Sequence, residues 1–196
     1  NQVKKKFKKN KIDFDVIYTI SMFYDLPKPK EFVKNISDIL NDDGVWIIEN
    51  SYLFTMLKQN SLDTICHEHI EYYSIKSISF LLRKFNLFIN DIKFNDINGG
   101  SVTLLISKKR KKLNKIDKII NYENANILKM ISSFKKNIID IKKKINRFLD
   151  VNLRKNKNIY LYGASTKGNT LINFLKINST QIPYALDVNL DKKNKF

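Results

Sequence analysis

The chain has 196 residues, 43% hydrophobic and 12% aromatic, enough to bury the core of one domain and part of another. No apolar run approaches the roughly 18–20 residues of a membrane span, and no basic-then-apolar signal segment opens the chain. A single cysteine, Cys66, excludes an internal disulfide framework and fits a reducing cytoplasm.

Residues 1–11 are polar and Lys-rich, a weakly structured lead-in. Phe14–Ile20 is an apolar run of strand length, suited to a buried parallel strand. Pro27 and Pro29 break the chain, and Pro29 suits the first turn of a helix in which Phe32, Ile36, Ile39 and Leu40 recur at helical spacing. Asn41-Asp42-Asp43-Gly44 reads as a turn or helix stop, and Val45–Glu49 as a second buried-type strand. Strand, helix, strand predicts a βαβ unit with a parallel sheet. Ser51 to Ser74 reads as irregular and aromatic. Ile78, Leu81, Leu82 and Phe85 then mark a helix, and residues 87–94 and 102–107 an antiparallel strand pair around Asn98-Gly99-Gly100-Ser101. Past a basic hinge at 108–112, apolar residues from Ile116 to Phe148 keep a helical period, as one long helix or a broken pair. A strand over 158–163, a helix after it and a strand over 184–187 follow, with a domain boundary near Asn156.

The formal net charge of +17 rests on lysine, with arginine only at Arg83, Arg110, Arg147 and Arg154. Specific nucleic-acid readout favours the bidentate guanidinium and Arg–aromatic platforms, so the basicity reads foremost as a solvated surface, with a basic module that binds RNA or another polyanion as the alternative. The chain's two histidines, His67 and His69, bracket Glu68 beside Cys66. The spacing is not that of a helical zinc motif, and one cysteine completes no metal set. In an extended segment both imidazoles share one side, and an imidazole is a natural general base, but two ordinary histidines fit equally. Asn98-Gly99-Gly100-Ser101 is either a tight turn or a place of close backbone approach to a ligand. Residues 163–170 lie between a strand and a helix, where amides collect phosphates, and Asp187 ends the next strand where a ribose-binding acid is expected.

Taken in order, Asp63-Thr-Ile-Cys-His-Glu-His-Ile-Glu-Tyr-Tyr73, Asn98-Gly-Gly-Ser101 and Gly163-Ala-Ser-Thr-Lys-Gly-Asn-Thr170 resemble the sugar C-methyltransferase family. Ser21-Met-Phe-Tyr-Asp-Leu-Pro27 and Trp46-Ile-Ile-Glu-Asn-Ser-Tyr52 are similar to that family's strand ends. The resemblance implies an α/β chain: the C-terminal half of a Rossmann-like methyltransferase domain (1–110), a helical connector (111–156) and the start of a second Rossmann-like, nucleotide-sugar-binding domain (157–196). It implies His69 as the base that forms an enolate beside a 4-keto group, the enolate carbon then taking the methyl of S-adenosylmethionine. Glu68 and His67 hold the sugar or orient His69. Cys66 stands where the sugar enzymes often carry a tyrosine, and Asn98 replaces a frequent histidine, so another small acceptor is the alternative substrate.

Asn98, Gly99, Gly100, Ser101, Lys167, Gly168, Asn169 and Thr170 are implied substrate contacts, with a nucleotide-sugar as partner and neither membrane nor nucleic acid. The family's zinc cysteines and glycine-rich cofactor loop are not found in the chain, which opens on Asn1 and stops at Phe196 after a strand-like segment. The expectation is therefore a piece of a longer enzyme that binds S-adenosylmethionine poorly by itself.

Overall fold

The computed structural model describes residues 13–111 and 113–193. The Lys-rich lead-in and the last hinge residue, Lys112, lie outside them. Strands β1 (Phe14–Ile20) and β2 (Leu40–Ser51) pair in parallel through helix α1 (Pro29–Ile39), which has a proline in its first turn and buries Val33 and Ile36. Helix α2 (Leu53–Gln59) follows, then helix α3 (Ile75–Arg83). Strands β3 (Phe88–Asn95) and β4 (Ser101–Ser107) form the antiparallel pair, and β4 lies antiparallel to β2, giving the order β1-β2-β4-β3.

Three readings change. Asn41–Gly44 is strand, not turn: β2 starts at Leu40 and absorbs the polar residues at a register shift opposite β1. Lys108 and Lys109 pair with Asp42 and Asp43 there. A side chain on Gly44 would come within 2.8 Å of the Phe14 carbonyl oxygen, so the bulge depends on glycine. Strand β1 is buried on one side only. It forms a sheet edge, and Val16, Tyr18 and Ile20 alternate outward and exposed. Helix α2 occupies part of the stretch read as irregular, burying Phe54 and Leu57 three residues apart.

The core packs Ile48, Ile75, Ile78, Leu82, Ile92, Leu104 and Ile106 around the rings of Phe23, Phe32, Trp46 and Tyr73. The Trp46 indole N–H donates to Thr19 Oγ1 at 2.8 Å, both residues being buried. Thr19→Val strands that N–H and is expected to lower stability by about 1–3 kcal/mol, read as a shift of the denaturant midpoint.

The apolar period after the hinge forms one continuous helix, α4 (Asn114–Leu153). No helix among the described residues is long and apolar enough to cross a membrane. Strands β5 (Leu161–Tyr162) and β6 (Ala185–Leu186) pair in parallel around helix α5 (Thr166–Leu175), a shorter version of the strand–helix–strand pattern expected there. The chain divides into two compact units, Asn1–Gln59 with Glu68–Met130 and Asn60–His67 with Ile131–Phe196, so the division falls inside α4 and also inside the Cys66–His69 run.

Candidate active site

In α/β sheets, ligands bind beyond the carboxyl ends of parallel strands. In the first unit this edge lies where Ile20 of β1 pairs with Glu49 of β2. The chain leaves β1 through Ser21, at a φ of 46°, whose N–H donates to the Glu49 carbonyl at 2.9 Å, and enters a 3₁₀ turn over Phe23–Asp25. The N–H groups of Ile70 and Glu71 both donate to the Tyr24 carbonyl at 3.1 Å, and the N–H of Leu53 donates to the Tyr73 carbonyl at 3.0 Å. These bonds lay the half-buried His69 ring against Tyr24, with centroids 4.4 Å apart, and 6.4 Å from the Tyr72 ring. Burial raises the Asp25 carboxyl above its ordinary range, opposed by His69 and reinforced by Glu68.

Of the four-residue run, Cys66, His67 and Glu68 lie in a bend and turn instead of an extended segment, so strand alternation does not align the two imidazoles. Glu68 and His67 are exposed and Cys66 is a half-buried free thiol, its N–H donating to the Thr64 carbonyl at 3.1 Å. Among the described residues no group of three or more His, Cys, Asp or Glu side chains is placed to hold a metal ion.

Asn98 and Gly99 belong to a 3₁₀ turn, and Gly99 and Gly100 take φ values of 81° and 110°. Gly100 is tightly placed: an added Cβ would meet Thr55 Cγ2 at 2.0 Å. Its carbonyl accepts from Tyr52 N at 3.4 Å, and buried Ser101 donates its hydroxyl to the Ile97 carbonyl at 2.9 Å while pairing with Ser51. The turn therefore sits at the carboxyl end of β2, on the edge that carries His69. Both glycines are accounted for by turn geometry and by contact with α2.

In the second unit, Ser165 caps α5 by accepting from Gly168 N at 3.1 Å. Asn169 N donates to the Ser165 carbonyl at 2.9 Å, the Thr170 hydroxyl donates to the Thr166 carbonyl at 3.0 Å, and Lys167 Nζ lies 3.7 Å from Asp63 Oδ2. A cleft of ≈ 710 Å³ within this unit is lined by residues including Asn169, Tyr184, Asp187 and Lys192.

Asp187 is engaged by the protein itself. It accepts from Asn189 N at 2.8 Å and from Lys192 Nζ and Ala164 N at 2.9 Å each, and these bonds, the Asn189 amide foremost, hold its carboxyl down at about 2. A depressed carboxyl contributes stability above its unfolded value, here near 3.8, and loses it as pH falls toward about 2. Acid titration followed by NMR at the Ala164 amide is expected to move only in that window, and Asp187→Asn is expected to remove the transition.

Residues 96–196, more than half of the chain, match the family model described as the C-methyltransferase C-terminal domain. The chain belongs to the C-methyltransferase family. Residues 1–90 also match a methyltransferase domain model. The chain is 34% identical over 89 residues to C-methyltransferase NovU of Streptomyces niveus, a match over 45% of the chain and 21% of that protein. It thus spans about a fifth of the length of this curated relative. Among solved structures, "The structure of LepI complex with SAM" aligns over 49% of the chain and 26% of its own at 10% identity and a TM-score of 0.41. "Crystal structure of M1.HpyAVI-SAM complex" aligns over 57% and 51% at 17% identity and 0.38. Likenesses of that size bear on neither fold nor function.

Asp25 and Asn50 lie inside the strand-end segments 21–27 and 46–52, and Tyr73 closes the segment that carries the two histidines. The usable signal for Asp25 and Asn50 is their place at or just beyond the ends of a parallel strand pair, which is where sites form in such sheets.

Proposed function

We propose that the full-length protein transfers a methyl group from S-adenosylmethionine to a carbon of a nucleotide-linked keto-sugar, with His69 as the base. The observation that carries this reading is the placement of His69 against Tyr24 at the carboxyl edge of β1 and β2. Membership of the C-methyltransferase family agrees with it. A carbon beside a ketone gives up its proton when a base is positioned in reach and the developing oxyanion is stabilised. His69 takes that proton. Glu68 and His67 orient His69 or hold sugar hydroxyls, and Cys66 supplies a weaker hydrogen bond than a tyrosine in its place. Asn98, Gly99, Gly100 and Ser101 border the acceptor.

Lys167, Gly168, Asn169 and Thr170 hold the nucleotide moiety. In this reading residues 1–110 belong to the methyltransferase domain, 111–156 connect, and 157–196 begin the nucleotide-sugar domain of a cytoplasmic enzyme.

Among the described residues, Asp25 Oδ1 and Asn50 Oδ1 are buried at this edge without a hydrogen-bond partner, and such acceptors fit the hydroxyl and amino donors of S-adenosylmethionine. When bound, that molecule supplies an electrophilic methyl to the carbon nucleophile.

The test is solvent exchange. In deuterated water, without a methyl donor, the full-length protein is expected to exchange the hydrogen beside the ketone of a nucleoside-diphosphate 4-keto-hexose. His69→Ala is expected to abolish this exchange. No exchange by the wild-type protein, or undiminished exchange by the variant, overturns the reading.

A further inference from the structure

Among the described residues, the buried side-chain atoms without a hydrogen-bond partner are Asp25 Oδ1, Asn50 Oδ1 and the Tyr73 hydroxyl. All three belong to the first unit and flank the carboxyl end of the parallel pair. Asn50 is 0% exposed and the penultimate residue of β2, with its amide nitrogen turned to the Ser51 carbonyl at 3.0 Å. Tyr73 is 7% exposed, its ring 5.0 Å from that of Phe23, two residues before Asp25. Its carbonyl is bound by Leu53 N, three residues after Asn50. On β2, Asn50 shares the inward face of Trp46 and Ile48, and Phe23 packs 6.0 Å from Trp46. Asn50 and Tyr73 thus border the same aromatic cluster, and Asp25 lies within electrostatic reach of His69.

Buried polar groups are nearly always paired, because an unpaired one forfeits its hydration for nothing. Three unpaired groups around one edge therefore point to a partner that the described residues do not supply. The chemistry is restrictive: a carboxyl oxygen and an amide carbonyl accept, while a phenol both donates and accepts. Burial, assisted by Glu71, pushes the Tyr73 phenol up to about 12, so it stays protonated and able to donate near neutral pH. A hydroxyl group can donate to an oxygen and accept from a phenol at once, and two adjacent hydroxyls can match two acceptors and one donor. We propose that Asp25, Asn50 and Tyr73 form a subsite for a vicinal diol beside His69. The subsite rests on the methyl-transfer reading only for its candidate ligands, since both a nucleotide-linked hexose and the ribose of an adenosyl donor carry such a diol.

The experiment measures equilibrium binding to the full-length protein and needs no turnover. The probes are a nucleoside-diphosphate glucose and S-adenosylhomocysteine, each beside a counterpart lacking one hydroxyl of the diol. One of the two is expected to bind about tenfold more tightly than its deoxy counterpart, and Tyr73→Phe and Asn50→Leu are each expected to remove that preference. The responding pair identifies the source of the diol. Tyr73→Phe removes a group with no partner among the described residues, so the melting temperature of the free protein is expected to hold or rise, which a purely structural role would not produce.

Equal binding of hydroxy and deoxy probes, preferences unchanged in Tyr73→Phe, or only an ordered water at the three atoms in the ligand-saturated structure would each overturn the subsite. Diol preference without transfer of label from the methyl donor would leave the subsite standing and remove the methyl-transfer reading. Transfer with an unchanged KM in Tyr73→Phe would do the opposite.

Discussion

Glu123→Ala is expected to lower the melting temperature by about 10 °C. Glu123 lies on α4 at 2% exposure, and its carboxylate gathers three donors. Oε1 accepts from the Tyr52 hydroxyl at 2.9 Å and from Ile75 N at 2.7 Å, while Oε2 accepts from Lys76 N at 2.8 Å. Two of these donors are first-turn amides of α3, where a negative charge is also favoured by the helix dipole. Alanine strands all three. Hydrogen bonds to a charged group are worth about 1.5–3 kcal/mol each and are not additive, so a loss of about 4 kcal/mol is expected. For a chain of this size each kcal/mol moves the transition by about 2–4 °C. Lys167→Ala, which breaks the half-exposed pair with Asp63, is expected to change stability by no more than about 0.5 kcal/mol. A shift below 2 °C for Glu123→Ala, measured by calorimetry beside Lys167→Ala, would mean the carboxylate does not anchor this helix. The consequence reaches the site, because α3 begins six residues after His69 and ends the segment that carries it.

His69→Ala is expected to reduce methyl transfer by about 10²- to 10⁴-fold, the usual worth of a positioned general base. The fold should survive, since the ring is half-buried and packs against the rings of Tyr24 and Tyr72 in tilted and edge-on arrangements, an aromatic interaction worth about 0.5–1.5 kcal/mol. His67→Ala, in the exposed turn, is expected to act mainly on KM. Steady-state kinetics beside melting curves separate the two outcomes. A fall in rate that tracks a fall in melting temperature would assign His69 a packing role instead.

The parallel pair was legible because Phe14–Ile20 and Val45–Glu49 are apolar runs of strand length around a helix with proline in its first turn, all local signals. The β3–β4 pair was legible from two glycines where a turn demands positive φ. Helix α2 was not, since seven residues among aromatics are too few to establish a period. The Asn41–Gly44 bulge looked like a turn because its polar residues answer to lysines some 66 positions later in the chain. At the site, the histidine run stood out by composition. Tyr24, Asp25 and Asn50 did not, because strand register and a returning loop join them to His69, and neither leaves a spacing in the sequence. Glu123 was hidden for a related reason: on a Lys-rich helix an acid reads as solvated, and only packing makes it a cap. Asp187 follows its strand as the sequence suggests, but its bonds to Lys192 and Ala164 left no trace in the local spacing.

The role proposed for His69 is that of the base in carbon methylation of a keto-sugar. It is tested most directly by incubating the full-length protein with methyl-labelled S-adenosylmethionine and a panel of nucleoside-diphosphate 4-keto-hexoses, then locating the label. Label on the carbon beside the ketone, lost in a folded His69→Ala variant, is the result expected. Label on oxygen, nitrogen or a different class of acceptor, or full labelling by the variant, would contradict it.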